Sequence, residues 1–298
     1  MTIAACLKFD DGVLFCADTK ITTDIKTNQT KIFPNAYGGD SYCATVFVIA
    51  GSVPYARASI LECENRIAKL DFLTVPMEEI RREIEIALVD FYQKHIYPNP
   101  DKYATEFRLL AGVWLRGEMQ MFSSYMTTVT PVPDYECIGA GAYLAKYWIR
   151  KFFSSEERGP HREPRTLEDV GLISAYALKS VMEYDESCGG EAEFLVMRAN
   201  GEIGFDVDAR IYPCEQLPDR FLNSMWRTLR KLVRADNAID ADLIIYDFEV
   251  NVREIGKVRM DWIEMLNSSL KKSIEPAHSA AVAPESTAEK KDSPEISA

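Results

Sequence analysis

The sequence predicts an α+β fold in which two antiparallel sheets carry helices on their outer sides. Two observations lead there. The strand-like runs come in neighbouring pairs joined by short turn signals, so they pair antiparallel. The helical stretches come two at a time between groups of strands, in the order strands, two helices, strands, two helices, strands. Hydrophobic residues make up 47% and aromatics 11% of the 298 residues, enough to fill the cores of such layers.

Ile3 to Phe9 and Val13 to Ala17 are apolar runs on either side of Asp10-Asp11-Gly12, and Asp-Gly between such runs signals a hairpin. Ala44 to Ala50 is another apolar run, short for a helix, and it ends at Gly51-Ser52. Tyr55 to Leu73 carries Ile60, Leu61, Ile67 and Leu70 at helical spacing, and Met77 to Tyr97 repeats the pattern with Ile80, Ile84, Ala87 and Phe91. Phe107 to Leu115 and Met119 to Ser123 flank the short loop Arg116-Gly117-Glu118. Asp134 to Ile138 reads as a further strand that ends at Gly139-Ala140-Gly141.

A helix is predicted from about Ala142 to Phe153, then a charged, turn-rich loop from Ser154 to Pro164. Thr166 has the character of a helix N-cap, with Asp169 three residues on. Leu167, Val170, Ser174, Leu178, Val181 and Met182 give the helix that follows one buried face, and Asp185 to Gly190 ends it. Phe194 to Arg198 and Glu202 to Val207 form a hairpin around Ala199-Asn200-Gly201. Beyond it, Leu217 to Val233 reads as a helix, Leu243 to Val250 as a strand and Val252 to Leu266 as a weaker helix. From about Lys271 the chain is rich in Ala, Glu, Ser, Pro and Lys, too poor in large apolar residues to fold. The division is a main domain over residues 1–208, an α/β extension over 209–270 and a disordered tail over 271–298. No internal repeat of solenoid period is present.

The formal net charge is −12, which argues against nucleic acid and against a basic membrane-surface anchor. No apolar run is long enough to span a bilayer, and no basic segment followed by an apolar one opens the chain. The seven cysteines are odd in number and widely spaced, a pattern of free thiols in a reducing compartment. A soluble cytoplasmic protein is expected. His95, His161 and His278 have no metal-ligand spacing, and the chain has no CxxC pair, no GxxxxGK[ST] and no GxGxxG. No metal and no cofactor are therefore expected, and nothing marks a nucleophile elbow.

The chemistry concentrates in the first 31 residues. Removal of Met1 would leave Thr2 with its hydroxyl and a free α-amine on one residue, a nucleophile with a general base attached. Asp18 and Lys31 are a charged pair of the kind such a nucleophile needs. Taken singly, each has an ordinary reading: Asp18 as a turn cap, Lys31 as a solvated charge, Gly51 and Gly189-Gly190 as turn glycines, Cys188 as a small buried hydrophobe.

The segment TIAACLKFDDGVLFCADTKIT resembles the start of proteasome β-type subunits and of the bacterial peptidase HslV: a threonine, a strand, a Gly-containing turn, then Ala-Asp-Thr ahead of a basic residue. Three more segments match in order. Thr30-Lys31-Ile32 matches the family's lysine before an apolar strand, Ala50-Gly51-Ser52 its Ala-Gly turn, and Asp185-Glu186-Ser187-Cys188-Gly189-Gly190 its Asp-x-x-Ser-Gly-Gly segment. The resemblance covers roughly residues 2 to 208, the size of a whole domain.

The resemblance implies the four-layer αββα Ntn-hydrolase fold and an N-terminal threonine peptidase. It implies that Thr2 Oγ attacks the scissile carbonyl while the Thr2 α-amine, or a water beside it, takes the proton. Lys31 would hold positive charge near Oγ, and Asp18 would orient Lys31. The Gly51 N–H would face the developing oxyanion. Asp185 and Cys188 would position the amine, and Thr22 would pair with substrate backbone. Ile21, Phe33, Ile49 and Val53 fall where the family builds its first specificity pocket; all are apolar, which implies cleavage after an apolar residue. The substrate would be a peptide or unfolded protein, inside a homo-oligomeric ring or spiral, with an ATPase partner left open.

The sequence also departs from the family. Ala140 stands where a serine is usual, Cys188 replaces a second serine, and Ile3 replaces a frequent threonine. These departures point to a divergent bacterial proteasome homologue of the kind called Anbu, or to the related β-proteobacterial homologue. Two alternatives keep the fold: a non-catalytic structural subunit, and an Ntn amidase of small substrates.

Overall fold

The computed structural model describes residues 2–21, 27–38, 42–98, 106–156, 165–204, 217–232, 244–254 and 257. In chain order come β1 (Ile3–Phe9), β2 (Gly12–Asp18), the two-residue strands β3 (Lys20–Ile21) and β4 (Thr27–Asn28), β5 (Ile32–Tyr37) and β6 (Cys43–Gly51). Helices α1 (Val53–Ile67) and α2 (Met77–Phe91) follow, then a π-helical turn over Tyr92–Ile96. Next are β7 (Phe107–Leu115), β8 (Glu118–Tyr125), β9 (Thr128–Val132) and β10 (Tyr135–Gly139). After them come α3 (Ala142–Glu156), α4 (Leu167–Tyr184), β11 (Ala192–Arg198), β12 (Ile203–Gly204) and α5 (Leu217–Leu232).

Two five-stranded sheets form, in the orders β10-β1-β2-β11-β12 and β5-β6-β7-β8-β9, and every pairing in them is antiparallel. Turn chemistry sets the registers. Phe9 pairs with Gly12, so Asp10 and Asp11 make the first hairpin turn. Leu115 pairs with Glu118 around Arg116 and Gly117, whose φ angles of 49° and 89° are both positive. That is the backbone of a type I′ turn, and glycine at its second position carries it without strain.

The apolar residues gather in three cores. Phe47, Ile49, Leu109, Ala111 and Phe122 of the second sheet pack with Ile60, Ile67, Ile80, Ile84 and Leu88 of α1 and α2. Ile3, Leu7, Leu14, Phe194 and Val196 of the first sheet pack with Ile149 of α3 and Val170, Leu178 and Val181 of α4. Ala4, Val13, Phe15 and Ala17 of the first sheet and Ala44, Val46, Val48 and Leu110 of the second fill the space between the sheets. Strand alternation explains the division, because successive side chains point to opposite faces. Ala4 faces the other sheet, whereas Ile3 and Ala5 face the helices.

Helix α4 starts as expected: the Thr166 hydroxyl accepts from the Asp169 N–H, and the Asp169 carboxylate accepts from the Thr166 N–H. Helix α1 stops at Ile67, short of the expected Leu73. Asp71 accepts from the Leu73 N–H at 3.1 Å and the Thr74 hydroxyl at 2.9 Å, which gives the backbone a turn instead. The second helical run is regular to Phe91 and continues only as the π-helical turn. Strand β9 is not among the strands the sequence predicts.

The strand expected over Leu243 to Val250 is not there: residues 244–254 are helical. Ile244, Phe248 and Val252, at every fourth position, are the half-buried ones, and their neighbours are exposed. A short apolar run does not distinguish a strand from a helix, and here the period of four decides. Part of the helix expected from Val252 to Leu266, the end of the hairpin expected to reach Val207, most of the Ser154–Pro164 loop and the tail lie outside the described residues. No helix among the described residues is long and apolar enough to cross a membrane.

The sheets approach closely where β7 lacks a side chain. A Cβ on Gly112 would lie 2.2 Å from Phe15 Cζ, and Phe15 is fully buried. Gly112→Ala should therefore cost about 1–3 kcal/mol in chemical denaturation. Adding Phe15→Leu should recover part of that loss, since the smaller side chain makes room for the new methyl.

Candidate active site

A lysine and an aspartate lie together with no solvent contact. Lys31 Nζ is 2.7 Å from Asp18 Oδ1, and both side chains are 0% exposed. Asp18 is the last residue of β2 in the first sheet, and Lys31 immediately precedes β5 in the second. Burial alone makes each charge expensive. The surroundings offset that cost. Asp18 Oδ1 also accepts from the Ile3 N–H at 3.0 Å, and Oδ2 accepts from the Gly189 N–H at 2.9 Å. Lys31 Nζ also donates to the Lys20 carbonyl at 2.7 Å. Burial pushes the Lys31 ammonium below the ordinary range for lysine, against the opposing pull of Asp18, Cys188 and Glu193.

Thr2 precedes the residue whose N–H Asp18 holds, and is itself 3% exposed. The β10 end lies against it. Gly139 has φ +100°, and a Cβ there would come 2.0 Å from the Thr2 carbonyl oxygen and 3.3 Å from Ala50 Cβ. Only glycine lets that strand end fit under Thr2. Ala50, which precedes Gly51 at the end of β6, is close to Gly139 in the same contact.

The turn after α4 closes the other side. Asp185 caps the helix through its N–H to the Val181 carbonyl, and its carboxylate accepts from the Ser187 N–H at 2.9 Å and from the Ser187 hydroxyl. Those bonds, helped by the charge of Lys20, hold the Asp185 carboxyl below its usual range. Cys188 is 2% exposed. Burial, then the Asp18 and Asp185 charges, push its thiol up to about 11, so it stays protonated near neutral pH and is no nucleophile there. A Cβ on Gly141 would lie 3.2 Å from Cys188 Sγ and 3.3 Å from Ile3 Cβ, so Ala140 sits between two glycines packed on this site.

The structure thus brings Thr2, Asp18, Lys31 and Cys188 into one region around the start of β1, the ends of β2 and β10 and the residue before β5, with Asp185 on the adjoining turn; Gly51 follows Ala50, which lies close to Gly139. Ile21, Phe33, Ile49 and Val53 all join the core under α1 and α2. Ile49 and Val53 are 1% and 8% exposed and so are buried in that core, while Ile21 and Phe33 are half-buried. The Arg57 guanidinium lies 5.0 Å from the centroid of the Phe33 ring. Thr22 lies outside the described residues.

Sequence reasoning passed over Lys20, whose carbonyl takes the Lys31 ammonium, and Glu193, whose carboxylate accepts from the Lys31 N–H at 3.4 Å. Lys20 was visible only as the basic residue after Ala-Asp-Thr, and a backbone acceptor leaves no side-chain signature. Among the described residues no group of His, Cys, Asp and Glu is placed to hold a metal ion. The six described cysteines are free and buried.

No protein-family model matches this sequence, and no curated protein matches it. Solved structures do share its fold. A Gly-1 mutant of Anbu from Hyphomicrobium sp. strain MC1 superposes with a TM-score of 0.61 at 14% identity, covering 77% of this chain and 100% of that one. Anbu from Yersinia bercovieri, described as an ancestral β-subunit, gives 0.61 at 13% identity over 76% of this chain and 96% of its own. Anbu from Pseudomonas aeruginosa, described as a helical assembly, gives 0.59 at 14% identity over 79% and 98%. At such identities the likeness is one of fold: this chain has an Anbu-like, mixed α/β arrangement of antiparallel sheets and helices.

Lys31→Met should destabilise the protein by about 3–5 kcal/mol in urea denaturation, because it leaves the Asp18 carboxylate and the Lys20 carbonyl buried without the donor that even a neutral amine would supply. The double variant with Asp18→Asn should recover part of the loss. A second expectation concerns pH. The folded state disfavours the Lys31 cation, so stability rises with pH between the lowered value and the ordinary 10.5, and the cost is fully present below that window. Glu193 opposes the lowering. Glu193→Gln should therefore move the Lys31 titration, followed by the 13C shift of its labelled ε-carbon, further toward low pH.

Proposed function

We propose that this chain is a proteasome-type threonine peptidase with a four-layer αββα Ntn-hydrolase fold, acting through Thr2 as a processed N-terminal nucleophile. The observation that carries the reading is the buried Lys31–Asp18 pair, fixed by the Ile3 N–H one residue from Thr2. A lysine ammonium held dry beside a threonine stabilises developing negative charge on Oγ.

In the proposed reaction Thr2 Oγ attacks the peptide carbonyl, and its proton passes to the Thr2 α-amine directly or through water. The Gly51 N–H stabilises the oxyanion. The tetrahedral adduct breaks its C–N bond, the leaving amine takes the proton, and an ester on Thr2 remains. Water then hydrolyses that ester by the reverse proton path. Asp18 orients Lys31, while Asp185 and Cys188 position the amine. Ile21, Phe33, Ile49 and Val53 form the pocket for an apolar side chain, with Thr22 on the substrate backbone.

The Anbu fold and the helical assembly described for one Anbu support a homo-oligomeric ring or spiral of this chain, enclosing sites for peptides or unfolded proteins in the cytoplasm. In this reading residues 1–208 are the peptidase domain, 209–270 an extension and 271–298 a tail. A second reading, a non-catalytic subunit of the same fold, draws support from Ala140 and Cys188, which thin the hydroxyl groups available to the amine.

Intact mass before and after incubation with a threonine-directed epoxyketone separates the two. Peptidase function predicts loss of Met1 and one adduct, absent in Thr2→Ala. Retained Met1 with no adduct would overturn it in favour of the non-catalytic subunit.

A further inference from the structure

Lys20 grips both halves of the site. Its carbonyl receives the Lys31 ammonium at 2.7 Å. Its own ammonium turns the other way and donates to the Glu186 carbonyl at 2.5 Å and the Cys188 carbonyl at 3.3 Å. Its side chain runs close over Gly189, where a Cβ would lie 3.3 Å from Lys20 Cδ. Main-chain bonds frame the same contact: the Lys20 N–H donates to the Gly189 carbonyl at 2.9 Å, and the Thr19 N–H to the Glu191 carbonyl at 2.9 Å.

The turn held in this way is the one that completes the ion pair. The Gly189 N–H donates to Asp18 Oδ2. The polar contacts therefore close a circuit: Asp18 to Lys31, Lys31 to the Lys20 carbonyl, the Lys20 ammonium to the Glu186 and Cys188 carbonyls, and Gly189 back to Asp18. A lysine is ordinarily a solvated surface charge. Lys20 instead is half-buried, and its cation is also felt at Asp185, three residues before Cys188.

We propose that Lys20 is a positioning residue that locks the Asp185–Gly190 turn against β3, and so fixes the Asp18–Lys31 pair and the groups beside the nucleophile at once. The functional half of this inference rests on the threonine-peptidase reading; the locking itself does not. Two of the three ammonium N–H groups are used on one turn, so a neutral side chain of equal length loses the grip but keeps the packing of the stem. Arginine keeps a multiple donor with a fixed charge.

The test compares Lys20→Met and Lys20→Arg with the parent protein by two measurements. Deuterium uptake of the 185–190 backbone should rise in Lys20→Met and return toward the parent level in Lys20→Arg, with the unfolding midpoint little changed. Acylation by the epoxyketone should show a maximal rate about 10- to 100-fold lower in Lys20→Met, the cost of a small misplacement of reacting groups, with the half-saturating concentration unchanged and the rate largely rescued in Lys20→Arg. Parent-level uptake in Lys20→Met would overturn the locking role. Raised uptake with a parent-level rate would overturn the link to catalysis. If the parent protein is not acylated at all, the peptidase reading falls, and the uptake measurement alone still decides whether Lys20 locks the turn.

Discussion

Everything at this site depends on keeping one positive and one negative charge dry. Lys31 and Asp18 come from different sheets, so their contact is also a bolt across the space between the sheets. An ion pair removed from water repays its desolvation only when the remaining lone pairs and protons are also satisfied. Here they are met by backbone: Ile3 and Gly189 N–H groups on the carboxylate and the Lys20 carbonyl on the ammonium. Backbone partners cost little entropy, because the strands and the turn that carry them are ordered by the fold itself. The pair thus needs the first sheet, the second sheet and the turn after α4 all in place.

That dependence fits the small residues that the inner core places among its larger ones. Ala4 and Ala17 on one sheet share the inner core with Ala50 on the other, and Gly112 yields to Phe15. Larger side chains there would push the sheets apart and pull Lys31 away from Asp18. The outer faces, which only have to bind helices, use Leu, Ile and Phe freely. The inner core sets a separation, whereas the outer cores supply most of the burial.

The hairpins were legible in the sequence because turns have local chemistry: Asp10-Asp11-Gly12 and Arg116-Gly117 demand particular φ values. The α4 start was legible for the same reason, through Thr166 and Asp169. Leu243 to Val250 reads as a strand because a run such as Leu243-Ile244-Ile245 is apolar under either period, and only burial at every fourth residue reveals that residues 244–250 are helical. At the site, side chains with a signature could be named in advance. Lys20 could not be assigned a part, since half of its contribution is a carbonyl, and Glu193 meets Lys31 only because β11 lies beside β2.

Ala140 and Cys188, close to Thr2, determine how that residue is held. A hydroxyl fixes a neighbour by a directional bond, whereas alanine offers none and a thiol a weak one. Cys188 cannot make up the difference by ionising, because burial and the Asp18 and Asp185 charges keep its proton on. What remains is shape. Gly139 presses its backbone on the Thr2 carbonyl, Gly141 fills the gap between Ile3 and Cys188, and Asp18 ties down the next N–H. Contact of this kind fixes the backbone of Thr2 more firmly than its amine. Under the proposed function, the amine's orientation then falls to Asp185, and the rigidity of the turn that carries Asp185 becomes part of the catalytic geometry rather than a detail of the loop.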